Sequence, residues 1–438
     1  MHQPRTHDLA ETIDAAAFSA LQARIVLLCV LIGVLDGFDI QAIAVVAPML
    51  AAEWRVPVAS FGPVFAAGLV GLAVGALGLG PAGDRFGRKY TVLLCTFIIG
   101  LFSMLTATAG DVRELILFRF LTGIGLGGAM PNLIALTAEY SPKRLRATVI
   151  TIMFCGLPIG LMLGGLVGAS LIPAFGWRSL FVAGGVAPFL ILPVLARWLP
   201  ESIRFLVAAG RRPAEVMRLM RRIAPTARFA DDDRFVIEEA PLKGAPVRLL
   251  FANGRGFDTA LLWLCFFMNL LVMYFFVNWM PVLFTQIGLP QGTAIRSLAA
   301  FNLGGIIGAI ILGRLLDRAN PYPILAAAYA IAAIGIGVVA SLSNTIALLM
   351  SAIFVIGFGV MGTQIGMNAI TATIYPVSIR ATGIGWALGI GRLGSIVGPT
   401  VAGLLLQAGW TATNIFLLAA APATIAAIAL LALGARRR

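Results

Sequence analysis

Twelve long apolar runs constrain most strongly what this chain can fold into. Each has about 20 residues or more, the length that an α-helix needs to cross the hydrocarbon core of a bilayer. In a transmembrane β-barrel the apolar residues alternate instead, so continuous runs exclude that architecture. The sequence therefore predicts an all-α membrane protein with twelve transmembrane helices. The predicted spans are residues 24–47, 60–80, 90–108, 113–136, 147–171, 178–198, 258–286, 294–313, 321–342, 346–371, 381–406 and 411–434.

The charge of the chain follows membrane topology. A net charge of +13 would fit a nucleic-acid-binding protein, but the Lys and Arg residues are concentrated in the N-terminal segment, the long central loop, the C-terminus and the loops on their side. The other side carries Arg55, Arg113, Arg178 and Arg296. Because cytoplasmic loops are enriched in Lys and Arg, both termini are predicted to be cytoplasmic. We expect a multi-pass protein of the inner (plasma) membrane that binds no nucleic acid.

Several other classes of function find no support in the sequence. Residues 1–23 lack the features of a signal peptide. The four cysteines lie in predicted spans without close spacing, so neither a disulfide framework nor a metal site is indicated. No nucleophile and base set, phosphate loop or sizeable extramembrane domain supports an enzyme or a receptor. We expect no cofactor and no enzymatic activity.

The two halves of the chain are related. The stretch GPAGDR at 80–85 matches GRLLDR at 313–318, and PKRLRAT at 142–148 matches PVSIRAT at 376–382, at nearly the same spacing. Related six-span halves predict two pseudo-symmetric six-helix bundles with a ligand site near the midplane between them. The predicted organisation is a cytoplasmic tail (1–23), an N-terminal bundle (24–198), a cytoplasmic central loop (199–257), a C-terminal bundle (258–434) and a basic C-terminus (435–438).

The repeated loop motifs carry charges that fit a gate. Asp84 is an acidic residue in the basic stretch GPAGDRFGRK, and Asp317 repeats it in the second half. We expect Asp84 to accept hydrogen bonds from a helix N-terminus or from an arginine. The alternative is that these charges only set the topology of the loops. The predicted gating residues are Asp84, Arg85, Arg88, Glu139, Arg146, Asp317, Arg318 and Arg380.

Four ionisable residues lie well inside the predicted spans, where such groups usually face a cavity and pair with each other. At 1.5 Å per residue, Asp36 and Arg392 each lie about 18 Å from the cytoplasmic surface, and Arg119 lies about 9 Å below the outer surface, near the depth of Asp39. We predict that Asp36 and Asp39 carry the coupling proton. Arg119 is either the ionic partner of Asp39 or a second anion contact, and a salt bridge that only fixes helix packing is the alternative.

Arg392 has no acidic partner in its own half, so it is predicted to bind an anionic substrate through its planar guanidinium. Aromatic walls and amide donors near the same depth fit a flat apolar ring with a polar substituent. The predicted substrate site comprises Arg392, Arg119, Asn269, Tyr274, Asn278, Trp279, Asn302, Gln364, Asn368, Trp386 and Ser395.

Six stretches of the chain carry a family resemblance: DGFD (36–39), GPAGDRFGRK (80–89), FRFLTGIGLGGAMPN (118–132), EYSPKRLRAT (139–148), LPESIRFL (199–206) and YPVSIRATGIGWALGIGRLGSIVGP (375–399). With these stretches the chain resembles, over essentially its whole length, a major facilitator superfamily transporter. More narrowly, it resembles the aromatic acid:proton symporter family, whose members import compounds such as benzoate, 4-hydroxybenzoate or protocatechuate.

The resemblance implies a secondary active transporter that imports an aromatic carboxylate with protons by alternating access. It also implies that the aspartates at 36 and 39 are needed for transport, that Asp84 and Glu139 belong to gating motifs, and that both membrane arginines are functional. Some family members have a histidine in the eighth span. This chain has no histidine beyond His7, so that role does not carry over.

Alternative functions keep the fold but change the cargo or the direction. A non-aromatic organic acid or a sugar-like solute is one alternative, although a sugar site does not need an unpaired arginine at the midplane. Export of acids is another, because the sequence does not set direction. A channel fits two related halves around a charged site less well than alternating access does. We expect a functional monomer embedded in lipid.

Overall fold

The computed structural model describes residues 6–210, 212–227, 229–230, 233–237, 247–316, 318–341, 346–375 and 377–437. At residues 147, 291, 365, 369, 372, 373, 377, 378, 380 and 381 it describes the backbone alone. Within this part of the chain, 12 helical segments are long and apolar enough to cross a membrane. The predicted all-α fold with twelve spans is therefore confirmed.

The twelve spans are labelled in chain order, and α5 consists of two helical stretches that meet at Cys155. Their bounds are α1 Ala20–Glu53, α2 Phe61–Phe86, α3 Arg88–Thr106, α4 Val112–Glu139, α5 Lys143–Phe154 with Gly156–Phe175, α6 Arg178–Trp198, α7 Gly256–Gln286, α8 Gln291–Leu316, α9 Pro321–Ser341, α10 Ile346–Ile374, α11 Val377–Gln407 and α12 Ala412–Arg436.

Local sequence signals set several helix ends. Ser19 and Gln22 form a reciprocal capping box at the start of α1, which satisfies two main-chain N–H groups. Asp111 accepts from Glu114 N at the start of α4, and Thr411 caps α12. Between α2 and α3, Gly87 has φ +105°, a conformation that L residues rarely adopt. Gly87 alone therefore forms the turn between Phe86 at the end of α2 and Arg88 at the start of α3.

Helix packing follows the twofold repeat. In the first bundle α1 packs on α5 and α2 packs on α4, while in the second α7 packs on α11 and α8 packs on α10. The two bundles meet through α5 against α8 and through α2 against α11, which are equivalent pairs under the same symmetry. The sequence repeat is therefore also a repeat of helix neighbours.

Small residues in the glycine-rich stretches at 68–80 and 156–165 allow the paired helices to approach closely. A Cβ at Gly37 of α1 would overlap the main-chain oxygen of Leu157 in α5. A Cβ at Gly71 of α2 would overlap the main-chain oxygen of Phe120 in α4. Because lipid offers no hydrophobic drive for helix association, such close packing holds the bundle together.

The N-terminal segment and the central segment lie together at one end of the molecule, here called the basic end. Strand β1 (Thr6–Asp8) pairs in parallel with β2 (Arg234–Val236) from the central segment. Short helices cover Leu9–Ala15, Ile203–Ala208, Pro213–Ile223 and Arg248–Phe251. The third of these is amphipathic, and its apolar face packs on the first bundle.

Candidate functional site

A buried ion pair joins α1 and α4. The Arg119 guanidinium donates to both carboxylate oxygens of Asp39, at 3.1 Å to Oδ1 and 2.6 Å to Oδ2. The Ser103 hydroxyl of α3 donates to Oδ1 at 2.5 Å. Both charged side chains are almost completely buried. Three helices of the first bundle thus converge on one carboxylate, as the depth of Asp39 and Arg119 predicts for the pair.

Asp36 lies about one turn from Asp39 on α1 and is also buried, with 3% exposed. Its Oδ1 atom has no hydrogen-bond partner among the described residues. The charged groups that act on it are Arg392, from the opposite bundle, and Asp39. The two aspartates of α1 therefore differ in their partners. Asp39 forms an ion pair with Arg119, whereas Asp36 faces Arg392 without direct contact.

Arg392 lies on α11 and is partly buried. Its guanidinium donates to the Tyr274 hydroxyl of α7 at 3.3 Å, and it forms no ion pair within the described part of the chain. The Ser395 hydroxyl donates to the main-chain oxygen of Arg392 at 2.7 Å, and a contact between Ser395 and a substrate stays a prediction. Most of the hydrogen-bonding capacity of this guanidinium remains unused in the present conformation.

Five amide side chains extend the site through the second bundle. Asn269 of α7 hydrogen-bonds Gln364 of α10. Asn278 and Asn302 each donate to the carbonyl one turn earlier in their own helix, at 2.8 Å. The Oδ1 atom of Asn368 is buried and has no partner among the described residues. The structure thus joins one pair of the predicted amides and leaves acceptor oxygens open.

The two predicted tryptophans occupy different places. Trp279 is fully buried, and its indole N–H donates to the Pro399 carbonyl at 2.9 Å. It contacts the edge of Phe65, which ties the second bundle to the first. Trp386 is 43% exposed and stacks on Trp263, an arrangement typical of aromatic side chains near a membrane interface. A substrate contact at either tryptophan stays a prediction.

The bundles are tightly closed at the end opposite the basic end. A Cβ at Gly62 of α2 would lie 3.2 Å from the Cα of Gly403 in α11. A cavity of about 20 Å³ remains beneath this contact, lined by Arg119, Asn278 and apolar side chains of α1, α2 and α4. That volume holds a water molecule, and an aromatic ring needs far more.

The predicted gating residues at the basic end form a chain of contacts in the first bundle. Arg88 donates to Asp84 at 2.8 Å and also pairs with Glu139. Glu139 in turn accepts from the Ser202 hydroxyl at 2.6 Å. The contacts connect the turn after α2, the end of α4 and the central segment. Their assignment to a gate stays a prediction.

The other predicted gating residues lie in different surroundings and do not form one chain of contacts among the described residues. Arg146 is partly buried, its Nε lacks a partner among the described residues, and it lines a small cavity with Glu139. Arg85 lies over the ring of Phe86 at 5.3 Å, and Arg318 is exposed after α8. Asp317 and the side chain of Arg380 lie outside the described residues.

Tyr140, just beyond α4, forms a further contact with the central segment in the same region. Its hydroxyl donates to the Glu201 carbonyl at 2.6 Å. Burial, reinforced by the Glu139 and Glu201 carboxylates, raises the pKa of Tyr140 well above its ordinary value. The phenol therefore stays a neutral hydrogen-bond donor that holds the central segment against the first bundle.

Comparison with known proteins agrees with this architecture. The family profile described as Major Facilitator Superfamily matches residues 29–370 and again 262–438. The chain belongs to the major facilitator superfamily. The crystal structure of a D-xylose-proton symporter superposes on this facilitator with a TM-score of 0.71 at 18% identity, covering 93% of this chain and 97% of that one. That likeness concerns the fold.

Closer relatives of this facilitator are transporters of aromatic acids. The gallate transporter of Pseudomonas putida is 42% identical over 98% of this chain and 96% of its own length. The 4-hydroxybenzoate transporter PcaK of Pseudomonas putida is 39% identical with the same coverage. These relatives confirm the resemblance to aromatic-acid transporters and the prediction that the facilitator is not an enzyme.

Three polar residues of this facilitator escaped the sequence analysis. Ser103 is the hydroxyl that completes the contacts of Asp39, and a depth comparison of the third span with the first would have indicated it. Glu201 accepts from Lys89 N at 3.1 Å, so it caps α3 from the distant central segment. Ser202 contacts Glu139. An acidic residue directly after a span, as in PES, was the available signal for the last two.

Proposed function

We propose that this facilitator imports an aromatic carboxylate in symport with protons by alternating access. The observation that carries the proposal is the partly buried Arg392, which faces Asp36 from the opposite bundle and forms no ion pair in the described part of the chain. A buried guanidinium without a carboxylate partner is costly, so a carboxylate ligand would complete it. The names of the relatives support an aromatic acid as that ligand.

In this proposal Arg392 and Tyr274 hold the carboxylate of the substrate. The Tyr274 hydroxyl already accepts from the guanidinium, so it keeps the planar fork oriented for an incoming anion. Asn269, Gln364 and Asn368 supply polar contacts from α7 and α10. Trp279, Trp386, Asn278, Asn302 and Ser395 complete the proposed site.

The proton is proposed to travel on the aspartates of α1. Asp36 has an unpartnered carboxylate oxygen and faces the proposed substrate arginine, so its protonation responds to whether an anion occupies that arginine. Asp39 is paired with Arg119, and protonation of its carboxylate would release the guanidinium toward the cavity that Arg119 lines. Binding of the anion and binding of the proton are coupled in this way.

The orientation and the gate complete the proposal. The basic end faces the cytoplasm, both termini are cytoplasmic, and the facilitator works as a monomer in the inner membrane. The tail 1–23, the bundles 24–198 and 258–434, the loop 199–257 and the end 435–438 keep their predicted roles. The contacts of Asp84, Arg88 and Glu139 hold the cytoplasmic side of the first bundle during closure.

The deciding experiment is uptake by proteoliposomes that contain the purified protein. Labelled benzoate, 4-hydroxybenzoate, protocatechuate, succinate and glucose are tested with and without an inward proton gradient. We expect accumulation of at least one aromatic acid that collapses when the gradient is removed. Uptake of succinate or glucose alone would reject the aromatic-acid assignment, and uptake that ignores the gradient would reject symport.

Arg392→Lys tests the substrate arginine directly. A lysine keeps the charge but loses the planar fork, so we expect the apparent affinity for the aromatic acid to fall about tenfold or more. Arg296→Lys is the matched control, because Arg296 is exposed at the other end of the second bundle and bonds only its own helix. Equal affinity in Arg392→Lys and the control would move the carboxylate site elsewhere.

A further inference from the structure

Two buried amide side chains in the membrane-spanning helices have polar atoms without a hydrogen-bond partner among the described residues. Gln41 of α1 is fully buried, and neither its Oε1 nor its Nε2 has a hydrogen-bond partner among the described residues. Asn302 of α8 is fully buried as well, and its Oδ1 has no partner there. Buried polar groups are nearly always paired, so an amide with both ends open calls for a partner in another state of the protein.

The two amides flank the same contact between the bundles. A Cβ at Gly164 of α5 would lie 2.8 Å from the Cβ of Gln41. At the next residue, a Cβ at Gly165 would lie 3.6 Å from the Ile295 side chain of α8. Asn302 follows Ile295 by two helical turns and therefore lies on the same face of α8. In the closed conformation α5 therefore packs against Gln41 next to the position where it meets α8, and Asn302 lies on the face of α8 that meets α5.

Gln41 and Asn302 also lie at similar distances from the end of the molecule opposite the basic end. Gln41 lies 12 residues before the end of α1 at Glu53, about 18 Å along the helix. Asn302 lies 11 residues after the start of α8 at Gln291, about 17 Å along that helix. Both helix ends are at the end opposite the basic end. When the bundles separate at that end, the two amides become accessible together at one level.

We infer that Gln41, with Asn302 opposite it, is a specificity-determining contact that binds a ring hydroxyl of the substrate. The inference rests on the proposed function, since it concerns the same aromatic acid. A phenol donates one hydrogen bond and accepts others, and a glutamine side chain offers both an acceptor and a donor. The substrate class is therefore hydroxylated benzoates, with the carboxylate on Arg392 and the hydroxyl on the α1–α8 amides.

Competition in proteoliposomes tests the inference. Benzoate and 4-hydroxybenzoate compete for uptake of a labelled hydroxybenzoate by the wild type, Gln41→Leu and Asn302→Leu. We expect the wild type to prefer 4-hydroxybenzoate and each variant to lose about fivefold of that preference, the effect of one neutral hydrogen bond. The affinity for benzoate itself changes little, which a general packing defect would not produce.

Matched controls remove buried hydroxyls that are already satisfied within their own helices. Thr96→Val in α3 and Ser297→Ala in α8 are such changes. We expect both to keep the wild-type preference. If Gln41→Leu gives no folded protein, the preference is measured in Gln41→Met and Asn302→Leu instead. Methionine fills nearly the same volume as glutamine without its polar group.

Each failure has its own signature. If the wild type takes up no aromatic acid, the proposed function is wrong and no preference exists to explain. If the wild type takes up both acids without preference, or if the variants keep the wild-type preference, the amides do not bind the hydroxyl and this inference alone is rejected.

Discussion

At the scale of single residues, α1 and α4 of the first bundle carry three buried charged side chains, those of Asp36, Asp39 and Arg119. Asp39 accepts from Arg119 and Ser103, so its charge is balanced within the first bundle. Breaking a buried ion pair by removing one charge costs about 3–5 kcal/mol, whereas removing both charges is often nearly neutral. That difference separates a role in stability from a role in transport.

We predict that Asp39→Asn lowers the stability of the protein by about 3 kcal/mol and abolishes accumulation driven by a proton gradient. The double variant Asp39→Asn with Arg119→Gln should recover most of the stability but not the accumulation. Thermal unfolding in detergent and uptake in proteoliposomes measure the two effects. Ser103→Ala, which removes one hydrogen bond to Asp39 and keeps the ion pair, is the control for the loss of a neutral contact alone. Gradient-driven accumulation by Asp39→Asn would show that this carboxylate does not carry the proton.

At the scale of helices, backbone contacts at glycines set the distances within each bundle. Gly37 in α1 meets the main chain of α5, and Gly71 in α2 meets the main chain of α4. In both cases the neighbouring atom belongs to a backbone and cannot turn away as a side chain would. The carboxylates of Asp36 and Asp39 lie on α1 beside such a contact, so their positions depend on how closely α1 approaches its neighbours.

We therefore expect Gly37→Ala to destabilise the protein by about 1–3 kcal/mol, the usual cost of overpacking. The matched control is Gly337→Ala in α9, because a Cβ at Gly337 has no atom within 4 Å. Alanine is the better helix former, so the control should be neutral or slightly stabilising. Thermal unfolding followed by tryptophan fluorescence compares the two. Equal melting temperatures would mean that the α1–α5 contact relaxes without cost.

At the scale of the whole molecule, two equivalent contacts hold the bundles together at the end opposite the basic end. One is α5 against α8, and the other is α2 against α11 with Gly62 facing Gly403. Trp279 strengthens the second contact through Phe65 and Pro399. The proposed alternating access requires both contacts to separate and re-form in each cycle, so a side chain that prevents re-forming is expected to stop the cycle.

The substitution Gly403→Val introduces a bulky side chain into the contact between α2 and α11. An overpacking cost of about 1–3 kcal/mol in the closed conformation shifts the equilibrium toward the open one by about fivefold or more. We expect net uptake to fall by at least that factor while substrate binding to the detergent-purified protein persists. The control is Leu404→Val, at a neighbouring position that is 57% exposed on the outside of the bundle. Wild-type uptake in Gly403→Val would show that this contact does not limit closure.

By itself, the sequence determined the number and approximate ends of the spans, the relation between the two halves and the depth of each buried charge. Apolar length and helical rise are properties of one helix at a time, so they can be read along the chain. The depth argument placed Asp39 and Arg119 near one level and left the ion pair as one of two roles for Arg119, and the structure shows the two side chains in contact.

Only the tertiary structure decided which side chains meet at a given depth. It brought Ser103 to Asp39, left Asp36 facing Arg392 without contact, and placed Trp279 in the closure between the bundles. Those outcomes depend on how each helix is rotated about its axis and how closely its neighbours approach. Rotation and approach are set by glycine contacts between distant parts of the chain, and hydropathy along a single helix carries no information about them.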